Sequence, residues 1–203
     1  MSDLESMRAA GRLAAQVLDH ITPFVVPGVT TDELNDICHQ FTIDNGAESA
    51  PLGYKGFPKS ICTSINHVIC HGIPSDRKLK DKDIMNIDVT VILDGWHGDT
   101  SRMFQIGKET VKGRLVCDAT YDAMMAGIEV IRPGATTGDI GYAISQSIAE
   151  TRFSVVTDYC GHGIGLGFHI DPQVPNVGNP GEGVILEEGM FITVEPMVNI
   201  GKA

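Results

Sequence analysis

No stretch of this 203-residue chain approaches the roughly 18 consecutive apolar residues that a membrane-spanning helix needs. The opening Met1-Ser2-Asp3-Leu4-Glu5 lacks a basic region and an apolar core, so no secretory leader is expected. Basic residues are scarce: 15 Lys and Arg stand against 26 Asp and Glu, a formal charge of −11. No Lys/Arg cluster offsets that balance, which excludes direct nucleic-acid binding as an expectation. The five cysteines (Cys38, Cys62, Cys70, Cys117, Cys160) are odd in number and form no C-x-x-C pair. That excludes a disulfide framework and points to a reducing, cytoplasmic setting. What remains is ordinary for a globular chain, 42% apolar and 20% charged.

Helical spacing of Leu4, Met7, Ala14, Leu18 and Ile21 predicts an amphipathic helix over 3–24, with Asp3 at its cap. Thr30 and Glu33 form a capping-box pattern that opens a second helix toward Asn45-Gly46. Pro51 to Pro58 reads as loop, followed by short strands at 61–65 and 68–70. Two strand-like runs, 84–93 and 96–104, are joined by Asp94-Gly95, a strong hairpin signal. Helices are expected over 115–131 and 138–150, and strands over 153–156 and 190–194.

Parts of this order repeat. The run Pro27-Gly28-Val29-Thr30-Thr31-Asp32-Glu33-Leu34 returns as Pro133-Gly134-Ala135-Thr136-Thr137-Gly138-Asp139-Ile140. His71-Gly72-Ile73 matches His162-Gly163-Ile164, and Leu79 to Asp88 matches Leu186 to Glu195. Three matches in one order imply an internal duplication. The expectation is a single domain over 1–203 with pseudo-symmetric halves of about 1–108 and 109–203.

A two-residue turn at Asp94-Gly95 puts Leu93 opposite Trp96 and Thr90 opposite Asp99. Asp88 and Asp99 then share one face as diagonal neighbours, about 7–8 Å apart at the backbone. Ile87, Val89, Val91 and Leu93 take the other face and belong to the core. Two carboxylates on one face repel unless a positive charge sits between them. His162 lies among glycines in Gly161-His162-Gly163-Ile164-Gly165, which let backbone approach closely. Glu195 holds the place in the second copy that Asp88 holds in the first. Asp88, Asp99, His162 and Glu195 are therefore candidate ligands of a divalent metal such as Mn, Fe, Co or Zn, and shared carboxylates allow two ions.

The segments Asn86-Ile87-Asp88-Val89-Thr90, Gly98-Asp99-Thr100-Ser101, Gly161 to Gly165 and Thr193-Val194-Glu195-Pro196-Met197 resemble the metal-site motifs of type I methionine aminopeptidases. Leu52-Gly53-Tyr54, Phe57-Pro58-Lys59-Ser60 and Asn66 to Pro74 resemble that family too. The resemblance runs from about residue 3 to the end. It implies a mixed α/β (α+β) pita-bread fold: a curved antiparallel sheet with two pairs of helices around a pseudo-twofold. It also implies metal-dependent removal of an N-terminal methionine when the second residue is small. Asp88, Asp99, His162 and Glu195 would be the ligands of two divalent ions, with Asp99 bridging them and Glu195 carrying the proton. His71 and His169 would contact the scissile peptide, and Tyr54, Phe57, Cys62, Cys70 and Phe168 would line the methionine pocket. The implied substrates are nascent chains, met by a cytoplasmic monomer in transient contact with the ribosome. In that family a fifth ligand, a glutamate, lies on a later strand, so the chain is expected to be incomplete at its C-terminus. An X-Pro aminopeptidase of the same fold and a non-catalytic binding homologue are the alternatives.

Overall fold

The computed structural model describes residues 2–202. It divides into two compact units: Met1–Thr110 with Gly165–Gly167, and Val111–Ile164 with Phe168–Ala203.

In the first unit, α1 spans Asp3–Ile21. Its cap is Ser2 rather than Asp3: Glu5 Oε2 accepts the Ser2 N–H at 2.9 Å and Ser2 Oγ accepts the Glu5 N–H at 3.4 Å. This reciprocal pair satisfies two otherwise orphaned donors. Asp3, already inside the first turn, contributes only its charge beside the helix N-terminus. The helix ends before residue 24, because Pro23 turns Thr22–Phe24 into a single 3-10 turn. Ala10, Leu13, Ala14, Val17, Leu18 and Ile21 form the buried stripe, whereas Leu4 lies outside it, 49% exposed.

That stripe covers the hairpin of β3 (Ile84–Leu93) and β4 (Trp96–Gln105). Asp94 and Gly95 both adopt positive φ (51° and 83°), the conformation a two-residue turn demands. The pairing is the expected one, with Leu93 opposite Trp96 and Thr90 opposite Asp99. Met85, Ile87, Val89 and Val91 are buried toward the helix, and Leu93 packs against them. At Gly98 a Cβ would stand 2.2 Å from the Ala10 carbonyl carbon, so only glycine lets β4 and α1 approach this closely. The other edge of β3 carries β1 (Glu48–Ser49) and β2 (Cys62–Ile65), all antiparallel. Residues 68–70 are not a strand. Positive φ at Asn66 (54°) and His71 (53°) turns the chain there, and the Val68 N–H bonds the Ile65 carbonyl instead. The helix α2 (Thr31–Asp44) starts at the expected Thr30/Glu33 capping box.

In the second unit α3 spans Val111–Glu129 and α4 spans Thr137–Ala149, the latter opened by a Thr136/Asp139 capping box. The strand β5 (Phe153–Val155) pairs with β8 (Val198–Ile200), and β6 (Cys160–Gly163) with β7 (Ile170–Pro175). Residues 190–194 form no continuous ladder. They lie along β6 through one bridge, Ile192 to Gly163, and the Thr193 N–H donates to the His162 carbonyl at 2.8 Å. Ala123, Ile140, Ile144, Val174 and Leu186 centre this unit's own core.

Several backbone contacts of the first unit recur in the second. The Gly28 N–H donates to the Leu79 carbonyl (2.8 Å), as Gly134 does to Leu186 (2.9 Å). Thr30 bridges Lys78, as Thr136 bridges Ile185. Glu48 pairs with Ile92, as Ser154 pairs with Asn199. The ladders correct one equivalence. Ser64 lies opposite Asn86 and His162 bonds to Thr193, so His162 takes the place of Ser64, not of His71. By the same register Cys62 and Cys160 are counterparts. No helix among the described residues is long and apolar enough to cross a membrane.

Candidate metal centre

The first unit supplies the two aspartates. Asp99 stands opposite Thr90 and Asp88 opposite Ser101, so alternation turns both carboxylates to the face away from α1. Cys62 of β2 lies across from Asp88 on that face. Burial, then Asp88, Cys70 and Asp99, push the Cys62 thiol well above its ordinary value. Each of those neighbours, if negative, opposes a thiolate. Without a cation nearby, Cys62 therefore stays a neutral S–H.

His162 and Glu195 belong to the second unit, and their geometry is explicit. The His162 ring is buried, and its Nδ1 lies 2.9 Å from the Gly163 carbonyl oxygen. A carbonyl only accepts, so Nδ1 carries the hydrogen; when the ring is neutral, Nε2 then presents a lone pair. That Nε2 is 3.4 Å from Glu195 Oε1. The Thr193 hydroxyl donates to the same oxygen at 2.6 Å and accepts the His162 backbone N–H at 2.9 Å. Gly161 makes this possible: a Cβ there would sit 2.4 Å from the Thr193 carbonyl oxygen. The glycines around His162 thus serve the approach of a neighbouring backbone.

This donor set fits a divalent cation. The His162 Nε2 and Glu195 Oε1, 3.4 Å apart, form an ion pair when the ring is protonated, and when it is neutral they offer two lone pairs at a spacing that one cation fills. Tetrahedral coordination with bonds of about 2.1 Å gives ligand–ligand edges of about 3.4 Å. A ligating histidine typically donates its other N–H to a carbonyl or carboxylate, the state in which Gly163 holds Nδ1. Within each unit the groups come as pairs, Asp88 with Asp99 and His162 with Glu195. Among the described residues no set of three or more His, Cys, Asp or Glu side chains is drawn within metal-holding range.

The remaining expected residues fall as follows. His169 is exposed and stacks on Phe168 at 4.0 Å, with its ring 4.4 Å from that of His162. His71 is exposed and held at positive φ, and Gly72 beside it accepts the Thr63 N–H at 2.8 Å. Tyr54 and Phe57 are half-buried on one tight loop, closed by Gly53 N–H to Phe57 carbonyl (2.8 Å). Lys55 Nζ lies 5.3 Å from the Tyr54 ring centroid. Cys70 is half-buried on the turn that follows β2. Burial, reinforced by Glu195, raises the thiol of Cys160, the Cys62 counterpart, against a partly offsetting bond from Val174. Sequence reasoning missed Thr193, although its position two residues before Glu195 puts both on one side of an extended segment.

The chain from residue 5 to residue 203 matches the model of metallopeptidase family M24. A relative from Rickettsia prowazekii named methionine aminopeptidase is 61% identical over 199 residues, covering 98% of this chain and 77% of the relative. The crystal structure of a methionine aminopeptidase from that organism superposes with a TM-score of 0.97, covering 98% of this chain and 80% of the other. An Xaa-Pro dipeptidase from Bacillus anthracis, 24% identical, superposes with a TM-score of 0.82 over 96% of this chain and 53% of its own. That likeness concerns the fold alone. The shared fold is the pita-bread fold, mixed α/β with antiparallel sheets.

Proposed function

Because the chain belongs to metallopeptidase family M24, we propose that it is a metal-dependent aminopeptidase that removes the N-terminal methionine of polypeptides whose second residue is small. The observation that carries the chemistry is the His162–Glu195 pair, whose Nε2 and Oε1 stand 3.4 Å apart. Asp88, Asp99, His162 and Glu195 are the residues that would hold two divalent ions, Co, Mn, Fe or Zn. Such an ion, when bound, would supply Lewis acidity toward a water and a carbonyl oxygen.

This chain's residues do the rest. Glu195 takes the proton from the attacking water and passes it to the leaving amine. The Thr193 hydroxyl fixes one of its oxygens, so the carboxylate does not swing. His71 and His169 hold the scissile peptide and stabilise the negative charge that develops on its carbonyl oxygen. Tyr54, Phe57, Cys62, Cys70 and Phe168 surround the methionine side chain, a soft thioether suited to aromatic edges and neutral thiols. The substrates are nascent chains, met by a cytoplasmic monomer in transient contact with the ribosome.

The test is hydrolysis by the purified protein loaded with Mn or Co. Met-Ala-Ser should be cleaved and an X-Pro peptide left intact. His71→Ala should reduce turnover by about 100-fold or more, the scale of a lost oxyanion donor, while metal content stays unchanged. Preferential cleavage of the X-Pro peptide would replace this reading with that of an X-Pro peptidase. Absence of both bound metal and turnover would leave a non-catalytic binding protein.

A further inference from the structure

The Phe57-Pro58-Lys59-Ser60 segment makes contacts that the proposed chemistry does not use. One face of α2 carries Asp32, Asn35 and His39, spaced three and four residues apart. All three reach Lys59 or Ser60, two and three residues beyond Phe57. Lys59 Nζ pairs with Asp32 Oδ1. The buried Ser60 N–H donates to Asn35 Oδ1 at 2.9 Å. Ser60 Oγ lies 2.7 Å from His39 Nδ1. The opposite end of the loop is fixed to the sheet, where the Ala50 N–H donates to the Thr90 carbonyl at 2.9 Å.

We propose that the Asp32–Asn35–His39 face of α2 is a positioning device that sets the pocket loop carrying Tyr54 and Phe57, and so governs selectivity for the methionine side chain. This rests on the reading of Tyr54 and Phe57 as pocket walls. The helix is itself anchored, because Leu34 and Cys38 are fully buried in the core. A rigid element therefore clamps the loop at its exit. The backbone hydrogen bonds donated by Leu52, Gly53, Tyr54, Gly56 and Phe57 all end within residues 49–57. The ties are unequal. Lys59 and Asp32 are 28% and 39% exposed, and solvent weakens such a pair. The Asn35–Ser60 bond is buried and reaches a backbone amide, and leaving that amide unpaired is costly. Asn35 is the principal tie, and Asp32 and His39 assist it.

Steady-state kinetics of the Mn-loaded full chain on Met-Ala-Ser and Leu-Ala-Ser test the idea. Asn35→Ala should raise KM for Met-Ala-Ser about tenfold, the scale of a small misfit in an apolar pocket, with kcat changed less than about twofold. Its preference for Met over Leu should fall, and amides 53–60 should lose hydrogen-exchange protection while β3 keeps its own. Asn35→Asp retains an acceptor for the Ser60 N–H and should restore KM. If Asn35→Ala does not fold, the double variant Lys59→Met/Ser60→Ala, which spares the amide bond, should show a smaller KM shift in the same direction, about threefold, with a partial loss of preference. Unchanged KM and preference in the tether variants, alongside raised KM in Tyr54→Ala and Phe57→Ala, would overturn the tether alone. Unchanged KM in Tyr54→Ala and Phe57→Ala would overturn the pocket reading and the tether with it.

Discussion

At Thr193 one hydroxyl closes two hydrogen bonds, donating to Glu195 Oε1 at 2.6 Å and accepting from the His162 backbone N–H at 2.9 Å. Valine has the same shape without either function. Thr193→Val therefore leaves the His162 amide unpaired and frees Glu195 to rotate. Supporting residues of this kind typically govern metal affinity or activity by about 10–100-fold. We expect kcat/KM for Met-Ala-Ser, or the affinity for Mn in a titration, to fall within that range, and Thr193→Ser to retain wild-type values. Wild-type behaviour in the valine variant would remove Thr193 from the site. The sequence concealed this role because a threonine in an apolar run carries no signature of its own. The shared face of Asp88 and Asp99 was legible for the opposite reason. The Asp94-Gly95 turn dictates the pairing, and the pairing dictates the face.

Between elements, two glycines meet where α1 packs on β4, and their substitution should act with opposite signs. A Cβ at Gly98 would lie 2.2 Å from the Ala10 carbonyl carbon and 2.6 Å from the Gly11 nitrogen. Both are helix backbone and cannot rotate away, so Gly98→Ala forces the elements apart. Overpacking of this kind costs about 1–3 kcal/mol. Gly11 lies within α1 with nothing within 4 Å of its absent Cβ. Gly11→Ala should therefore stabilise the helix by roughly 0.8–1 kcal/mol, the difference in propensity. Urea unfolding of the two variants checks both signs, and a stabilised Gly98→Ala would refute the close contact. Element types were readable where chemistry is local: the Thr30/Glu33 and Thr136/Asp139 boxes start α2 and α4 as their spacing requires. Boundaries set by the next element were not. Residues 68–70 have strand-like composition, but the positive φ at Asn66 and His71 bends them out of any ladder. Ser2 displaced Asp3 as cap because the box needs a glutamate three residues on, and Glu5 stands there for Ser2.

For the molecule as a whole, the duplication was visible in Pro-Gly-x-Thr-Thr because those residues make the same backbone bonds in both units. It misled at His71 because β2 and β6 share a ladder position and only one residue type, the cysteines Cys62 and Cys160. Selection for different chemistry on equivalent strands erases sequence likeness while hydrogen bonding preserves the register. The same logic bears on stability. Carboxylates that share a cation repel one another without it, and any ion that binds only the folded chain stabilises by mass action. At a free ion concentration 100 times its dissociation constant the gain is about 2.7 kcal/mol. Calorimetry in Mn against EDTA should therefore show a higher Tm with metal. Asp99→Asn and His162→Ala, changed in residues far apart in the chain, should each abolish most of that increment. Lys59→Met, at a partly exposed ion pair on the loop exit, should keep it. A metal-dependent rise that survives loss of His162 would mean that the ion is held elsewhere, and the ligand set proposed for this chain would fall with it.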